Sequence, residues 1–266
     1  MLPTQSDIAE AIEEQVRKSR PTVVALMIVD GLSYYDLPEN AECEPYLVAG
    51  VSTTEYGYRQ VIGRPSISRR LFALGYTQQL GYTYFPPETN ELSRDIYGTF
   101  SSSQMTRIRA FDEILKHVKD IGLSRGYIQI SSAGLDQLCH AHYDRPPREH
   151  YLEQILSHYH DLLDCLAAAG RNVLACLTAD HGILWREDIE DRIEVVSDLF
   201  REDIRSPRYI RGSVLRSYGR CCRCDRQSYT LLRAPWMTRK FRNNEWGVHG
   251  GISAWESIVP FFMKRG

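Results

Sequence analysis

No stretch of this 266-residue chain comes near the roughly 18 consecutive apolar residues that a membrane span requires, so no membrane partner is expected. Residues Met1 to Glu14 carry four acidic side chains and no apolar run, which does not read as a secretory leader. A soluble, cytoplasmic protein is the expectation. The sequence also lacks a cysteine framework: its seven cysteines are an odd number without regular spacing, and Cys165 and Cys176 sit inside apolar patterns. Reduced thiols in a core are expected rather than disulfides. Nor is there an excess of charge of one sign, since the formal net charge is only -2, and no internal repeat or low-complexity run occurs. What is present is 43% apolar residues, enough for a sizeable core in one domain spanning 1–266.

The apolar pattern alternates between two periods. Ile8, Ala11, Ile12 and Val16 recur at helical spacing, and Pro21 separates them from the unbroken apolar run Val23 to Val29, a buried strand. A short strand is expected over Val48 to Ser52, a helix over Pro65 to Leu74, and a strand over Tyr76 to Tyr84 leading to a Pro86-Pro87 loop. Ile108, Phe111, Leu115 and Val118 mark a further helix before the strand Tyr127 to Ser132. Tyr151, Ile155, Tyr159, Leu162 and Leu166 form one stripe of a long helix, and Val173 to Thr178 is the next strand. Short apolar strands alternating with amphipathic helices predict an α/β layered fold, with a mostly parallel central sheet flanked by helices on both faces. In such folds sites form at the carboxyl ends of the strands.

The polar residues at those ends are therefore informative. Asp30-Gly31 follows one buried strand directly, and Asp180-His181-Gly182 follows another. A carboxylate placed there must cap a helix, pair with a cation or bind a metal, because an unpaired charge beside a core is expensive. Alone, Asp30 reads as well as a turn or N-cap residue. The third strand runs into Asp136, with His140 four positions on and His142 and Asp144 beyond, a spacing that can aim two side chains at one ion. His249 lies in Trp246-Gly247-Val248-His249-Gly250-Gly251, where glycines permit close backbone approach. Any one of these histidines is more often an ordinary hydrogen-bonded residue. Together, three strand ends and a Gly-rich loop present carboxylates and imidazoles of the kind Zn²⁺ or Mn²⁺ prefers. Two such ions would suit in-line phosphoryl displacement, and Val51-Ser52-Thr53-Thr54 offers three hydroxyls at the remaining strand end.

Residues 185–246 break the alternation and read as a cap inserted beside the site. Within it an acidic stretch, Glu187 to Asp203, precedes a basic segment at 205–245 holding eleven Lys or Arg between Arg205 and Arg242 against Asp225 and Glu245. Tyr209, Tyr218, Tyr229, Trp236 and Phe241 are interleaved with these cations, a combination suited to phosphate attraction and base stacking, although a solvated basic surface reads as well. Cys221, Cys222 and Cys224 suggest a further zinc site, but three such close thiols rarely make a tetrahedral set and no partner Cys-x2-Cys exists.

The order of these motifs resembles the alkaline phosphatase superfamily, and within it the PglZ domain. The matching stretches are Ile28-Val29-Asp30-Gly31, Ser52-Thr53-Thr54 with Gly63, Gly134-Leu135-Asp136 with His140, Leu177-Thr178-Ala179-Asp180-His181-Gly182, and Val248-His249-Gly250-Gly251-Ile252-Ser253 with Glu256 and Val259-Pro260. The resemblance implies one ion held by Asp30, Thr53, Asp180 and His181 and a second held by Asp136, His140 and His249. It implies Thr53 as nucleophile, from its spacing to Gly63, with Thr54 as the alternative. The segment Thr53-Thr54-Glu55-Tyr56-Gly57 departs from the prolines and polar residue common after the nucleophile in the wider superfamily.

The implied activity is metal-dependent hydrolysis of phosphate esters, with two Zn²⁺ (or Mn²⁺) ions. A sulfatase is not expected, because no Cys-x-Pro-x-Arg motif is present. The resemblance points first to a phosphodiesterase acting on a nucleotide or nucleic-acid phosphate through the 205–245 segment, in a bacterial phage-defence or signalling system. A phosphomonoesterase or phosphomutase is the enzyme alternative. A defence-complex subunit with structural metals, binding DNA or a partner protein, is the non-enzymatic one.

Overall fold

The computed structural model describes residues 2–85, 105–120, 122–141, 144–196, 203–204, 206–213, 217–224 and 226–266. Pro86-Pro87, His142, Arg205, Arg216 and Asp225 lie outside the described residues.

The chain begins with helix α1 (Ile8–Ser19), which buries Ile8, Ala9, Ile12 and Val16 and exposes its charged face. Strand β1 (Val23–Val29) follows, every residue of it buried, as a strand covered on both faces of a parallel sheet must be. After β2 (Glu44–Leu47) come helices α2 (Thr54–Ile62) and α3 (Ile67–Ala73), then β3 (Gln78–Tyr84) and β4 (Met105–Ile108). Helix α4 (Phe111–Asp120) leads to the wholly buried β5 (Gly126–Ser132), the short α5 (Leu135–Ala141) and the long α6 (Arg148–Ala168). Strand β6 (Val173–Ala179) is again buried throughout.

The central sheet is completed from the far end of the sequence by β15 (Ile258–Arg265), giving seven strands in the order β2-β15-β6-β1-β5-β3-β4. Strands β1, β3, β4, β5 and β6 pair in parallel, while β15 runs antiparallel to both β6 and β2. The predicted mostly parallel α/β sheet is thus observed, with one reversed strand beside β6.

Between β6 and β15 lie β7 (Leu184–Trp185), the short helix α7 (Arg186–Ile189), β8 (Glu194–Val195), β9 (Asp203–Ile204), β10 (Tyr209–Arg211), β11 (Gly219–Cys224), β12 (Gln227–Leu232), β13 (Trp236–Met237) and β14 (Gly247–Val248). Helix α8 (Ala254–Ser257) precedes β15. Strands β9 to β12 form a separate four-stranded antiparallel sheet in the order β11-β12-β10-β9, with its own cluster of Val196, Ile210, Tyr218 and Leu232.

Two stretches depart from the sequence reading. Ile108, read as part of a helix, is the last residue of β4, and the helix begins at Phe111. The strand expected over Val48 to Ser52 lies instead at Glu44–Leu47, and residues 48–52 form a loop. The polar groups of Ser52 are committed elsewhere: its carbonyl accepts from His249 Nδ1 at 2.9 Å and its hydroxyl donates to the Gly251 carbonyl, also at 2.9 Å. They serve the histidine loop rather than a strand ladder.

Candidate metal centre

Register brings the site together. Val29 at the end of β1 is level with Ser132 of β5 on one side and Ala179 of β6 on the other, so three parallel strands stop on one line. Asp30 and Asp180 are the next residues along β1 and β6. Asp136 arrives through the first turn of α5, its amide donating to the Asp30 carbonyl at 3.1 Å. His249 comes from a different direction. It follows β14, which pairs antiparallel with β7, itself three residues beyond His181.

These side chains converge in two overlapping groups whose ligand atoms all lie within 4.8 Å of one another: Asp30, Asp180 and His181, and Asp136, His181 and His249. His181 belongs to both. Its Nδ1 donates to the Gly182 carbonyl at 3.1 Å, and its Nε2 faces Asp30 Oδ1 at 3.4 Å and Asp180 Oδ2 at 3.9 Å. His249 donates through Nδ1 to Ser52 and points Nε2 at Asp136 Oδ1, 3.3 Å away. The two imidazoles stack, with centroids 4.1 Å apart and planes inclined by 16°. His140, one helical turn after Asp136, sits at the outer edge. Its Nε2 is 3.7 Å from Asp136 Oδ1, its side chain is 45% exposed, and it falls outside both tight groups.

The hydroxyl in this cluster belongs to Thr54. Its Oγ1 donates to Asp30 Oδ1 at 3.3 Å and lies 3.2 Å from His181 Nε2. Thr53, the residue favoured by its spacing to Gly63, is instead the N-cap of α2 without a side-chain capping bond, and it lines an adjoining cavity. Thr54 stands at the first turn of α2, where free amide groups and the helix dipole favour negative charge. Gly57, one turn on, lets this helix press onto β6: a Cβ there would stand 1.7 Å from the Asp180 carbonyl oxygen.

The electrostatics are those of a mutually neutralising cluster. Burial pushes the Asp180 carboxyl up to about 7, with Asp30 adding to the effect and His181 opposing it. Burial works against a charged His181, but Asp180 and Asp30 outweigh it and raise the imidazole to about 10. Burial would likewise raise Asp136, yet His249 and His140 hold it well below the ordinary carboxylate range. His249 is lowered by burial and by the charge on His181.

Two atoms show that a cation fits. Asp180 Oδ1 accepts from the amides of Gly31 at 3.1 Å and His181 at 2.9 Å, whereas Asp180 Oδ2 is buried without a hydrogen-bond partner. Asp136 Oδ1 is in the same position. A buried carboxylate oxygen with no donor is costly, and a divalent ion between these oxygens and the imidazole nitrogens would satisfy it.

Several contributors were not visible in the sequence. Gln5 donates from Nε2 to the carbonyls of Ala179 at 2.7 Å and Asp180 at 2.8 Å, bracing the strand end from outside, and nothing in its sequence context marks it. Arg208 counted as one cation in a basic run, yet it is fully buried and paired with Glu256. The three cap thiols do not converge. Cys222 and Cys224 Sγ are 3.7 Å apart, while Cys221, just before them on β11, faces Thr230; among the described residues no cysteine joins a metal-ligand group.

The fold is alkaline phosphatase-like: a mostly parallel sheet flanked by helices, with the candidate centre at its carboxyl edge. Murine ectonucleotide pyrophosphatase/phosphodiesterase 5 superimposes with a TM-score of 0.56 at 11% identity, covering 90% of this chain and 87% of that one. The human protein of the same name gives the same figures, and an inactive threonine-to-alanine variant of the murine protein in complex with AMP gives a TM-score of 0.55. No family model matches the chain, and no curated protein matches it in sequence.

Proposed function

We propose that this chain is a metal-dependent phosphodiesterase acting on a nucleotide or nucleic-acid phosphate, with Thr54 as its nucleophile. The observation that carries the reading is the contact of Thr54 Oγ1 with both Asp30 and His181 at the start of a helix. Asp30, Asp180 and His181 would hold one divalent ion and Asp136 and His249, with His140 beside them, a second. Bound there, Zn²⁺ or Mn²⁺ would supply Lewis acidity and stabilise charge on the phosphoryl oxygens.

The chain's own groups do the rest. Asp30 accepts the hydroxyl proton of Thr54, and the alkoxide so formed attacks phosphorus. The bond from phosphorus to the leaving oxygen breaks, that oxygen is protonated by solvent water, and Asp30 releases its proton to solvent. Water then cleaves the threonine ester and restores the hydroxyl. The amino end of α2 faces the charge that develops. The nucleotide preference draws support from the shared fold with nucleotide pyrophosphatase/phosphodiesterases, one of them captured with AMP. It also draws support from exposed Arg220 and Arg223 on β11 and Arg226 in the turn that follows it. The PglZ assignment, and a place in a bacterial defence or signalling system, rest on the motif order alone.

The test is hydrolysis of bis-p-nitrophenyl phosphate and p-nitrophenyl phosphate with added Zn²⁺ or Mn²⁺, with Asp180→Ala as control. The diester should be cut faster. Cleavage of neither ester by protein that has bound metal would overturn the reading, and a faster monoester would favour a phosphomonoesterase.

A further inference from the structure

Between the start of α2 and the β11–β12 hairpin lies a cavity of about 260 Å³, whose walls include Thr53, Tyr56, Arg59, Tyr209, Gln227 and Tyr229. It adjoins the candidate centre on two sides. Thr53 immediately precedes the reactive hydroxyl of Thr54. Tyr209 packs on the loop that carries His249, so closely that a Cβ on Gly250 would stand 2.5 Å from Tyr209 Cδ1.

The lining has a definite chemistry. Three tyrosines contribute ring surface, and Tyr209 and Tyr229 meet edge to face with centroids 5.8 Å apart. The formal charges of the lining, Glu55 and Arg59, form an ion pair with each other at 2.6 Å. A second phosphate would therefore meet a cation already engaged, whereas a neutral planar group would meet faces it can stack on. Gln227 Oε1 accepts from the Tyr229 hydroxyl at 2.7 Å, which leaves the Nε2 of the same amide as a donor for a ligand acceptor. The volume is slightly below the roughly 300–1,000 Å³ of drug-sized sites, so it accommodates one ring system rather than several.

We infer that this cavity receives the heteroaromatic base of the ester being cleaved, stacked on the Tyr229 ring and edge-on to Tyr209, with the Gln227 amide donating to a ring acceptor. The inference rests on the phosphodiesterase reading for its link to Thr54. It goes beyond that reading in naming which part of the substrate the cap hairpin recognises.

Calorimetric titration of the Zn²⁺-loaded protein with AMP and with ribose 5-phosphate separates base recognition from phosphate recognition. Wild type should bind AMP at least about fivefold more tightly than ribose 5-phosphate, the low end of what stacking one base supplies. Tyr229→Ala should collapse that ratio towards one, and Tyr229→Phe should retain it. Equal affinity of wild type for the two ligands would overturn the assignment, as would a Tyr229→Ala variant that loses affinity for both alike. Should Tyr229→Ala fail to fold, the wild-type ratio and its retention in Tyr229→Phe decide the matter. An AMP preference in a protein that cleaves no diester would uphold the cavity while removing the hydrolase reading.

Discussion

The hydroxyl of Thr54 lies 3.2 Å from His181 Nε2 and donates to Asp30 at 3.3 Å, so the helix turn and two strand ends share one hydrogen-bonded point. Thr54→Ala should lower kcat/KM for bis-p-nitrophenyl phosphate by about a thousandfold or more, since removing a nucleophile leaves only binding and electrostatics. Thr53→Ala loses no side-chain capping bond and should stay within about threefold of wild type. Steady-state kinetics on both variants checks the assignment, and the reverse order would transfer the role to Thr53.

Metal should stabilise the fold as well as activate it. Asp136 Oδ1 and Asp180 Oδ2 are buried without a hydrogen bond and face imidazole nitrogens 3.3–3.9 Å away, so the ion-free protein carries an unsatisfied polar cost. Zn²⁺ at a hundred times its dissociation constant contributes about 2.7 kcal/mol, which raises the melting temperature of a domain this large by roughly 5 °C or more. Scanning calorimetry with Zn²⁺ and with chelator measures this. The increment should shrink in Asp180→Ala and in His249→Ala.

Arg208 and Glu256 form a fully buried bidentate pair, with Nε to Oε1 at 3.0 Å and Nη2 to Oε2 at 2.8 Å. Glu256 also accepts from the amide of Gly251 at 2.8 Å, tying the small sheet to the loop that carries His249. Arg208→Ala strands a buried carboxylate and should destabilise by about 3–5 kcal/mol in urea unfolding. It should also weaken metal binding by about tenfold, as loss of a ligand's support commonly does.

His158 gives a pH dependence remote from the centre. Its ring lies flat on Phe111, 4.1 Å away, and edge-on to Tyr84. Burial lowers its pKa from the ordinary 6.5, against the pull of Asp161 and Asp112. As pH falls through 6.5 the unfolded chain takes up this proton first, so the stability contribution is complete above 6.5 and is lost as pH drops through the folded value. Urea midpoints with chelator present should fall between pH 7.5 and 5.5, and His158→Gln should show a shallower fall.

Much of this was legible because the physics is local. The apolar run Val23 to Val29, short and closed off by Pro21 and Gly31, reads as a buried strand, and the stripe through Ile155, Tyr159, Leu162 and Leu166 reads as one face of a helix. Asp30, Asp180 and His181 were conspicuous as charges placed directly after such strands. Illegible were the relations that only register and crossing create. Glu44–Leu47 became a strand because β15 returned beside it, a pairing nothing near residue 44 announces. Thr53 and Thr54 differ by one step of backbone rotation at a helix start, and adjacent residues of one type cannot be ranked by composition. Arg208 looked like its neighbours in a basic run, and only the position of Glu256 makes it a buried partner.

His181 serves both ligand groups, while His249 stands well over two hundred residues downstream of Asp30. Along the chain the two groups are therefore completed in order. A ribosome-bound chain extended past His181 already encodes the carboxylates and imidazole of the first cation position, along with Thr54. The second position must wait for the hairpin sheet and the glycine loop behind it. The first group is thus encoded ahead of the cap hairpin and the second only after it, so the order of the genetic message separates the two ligand groups.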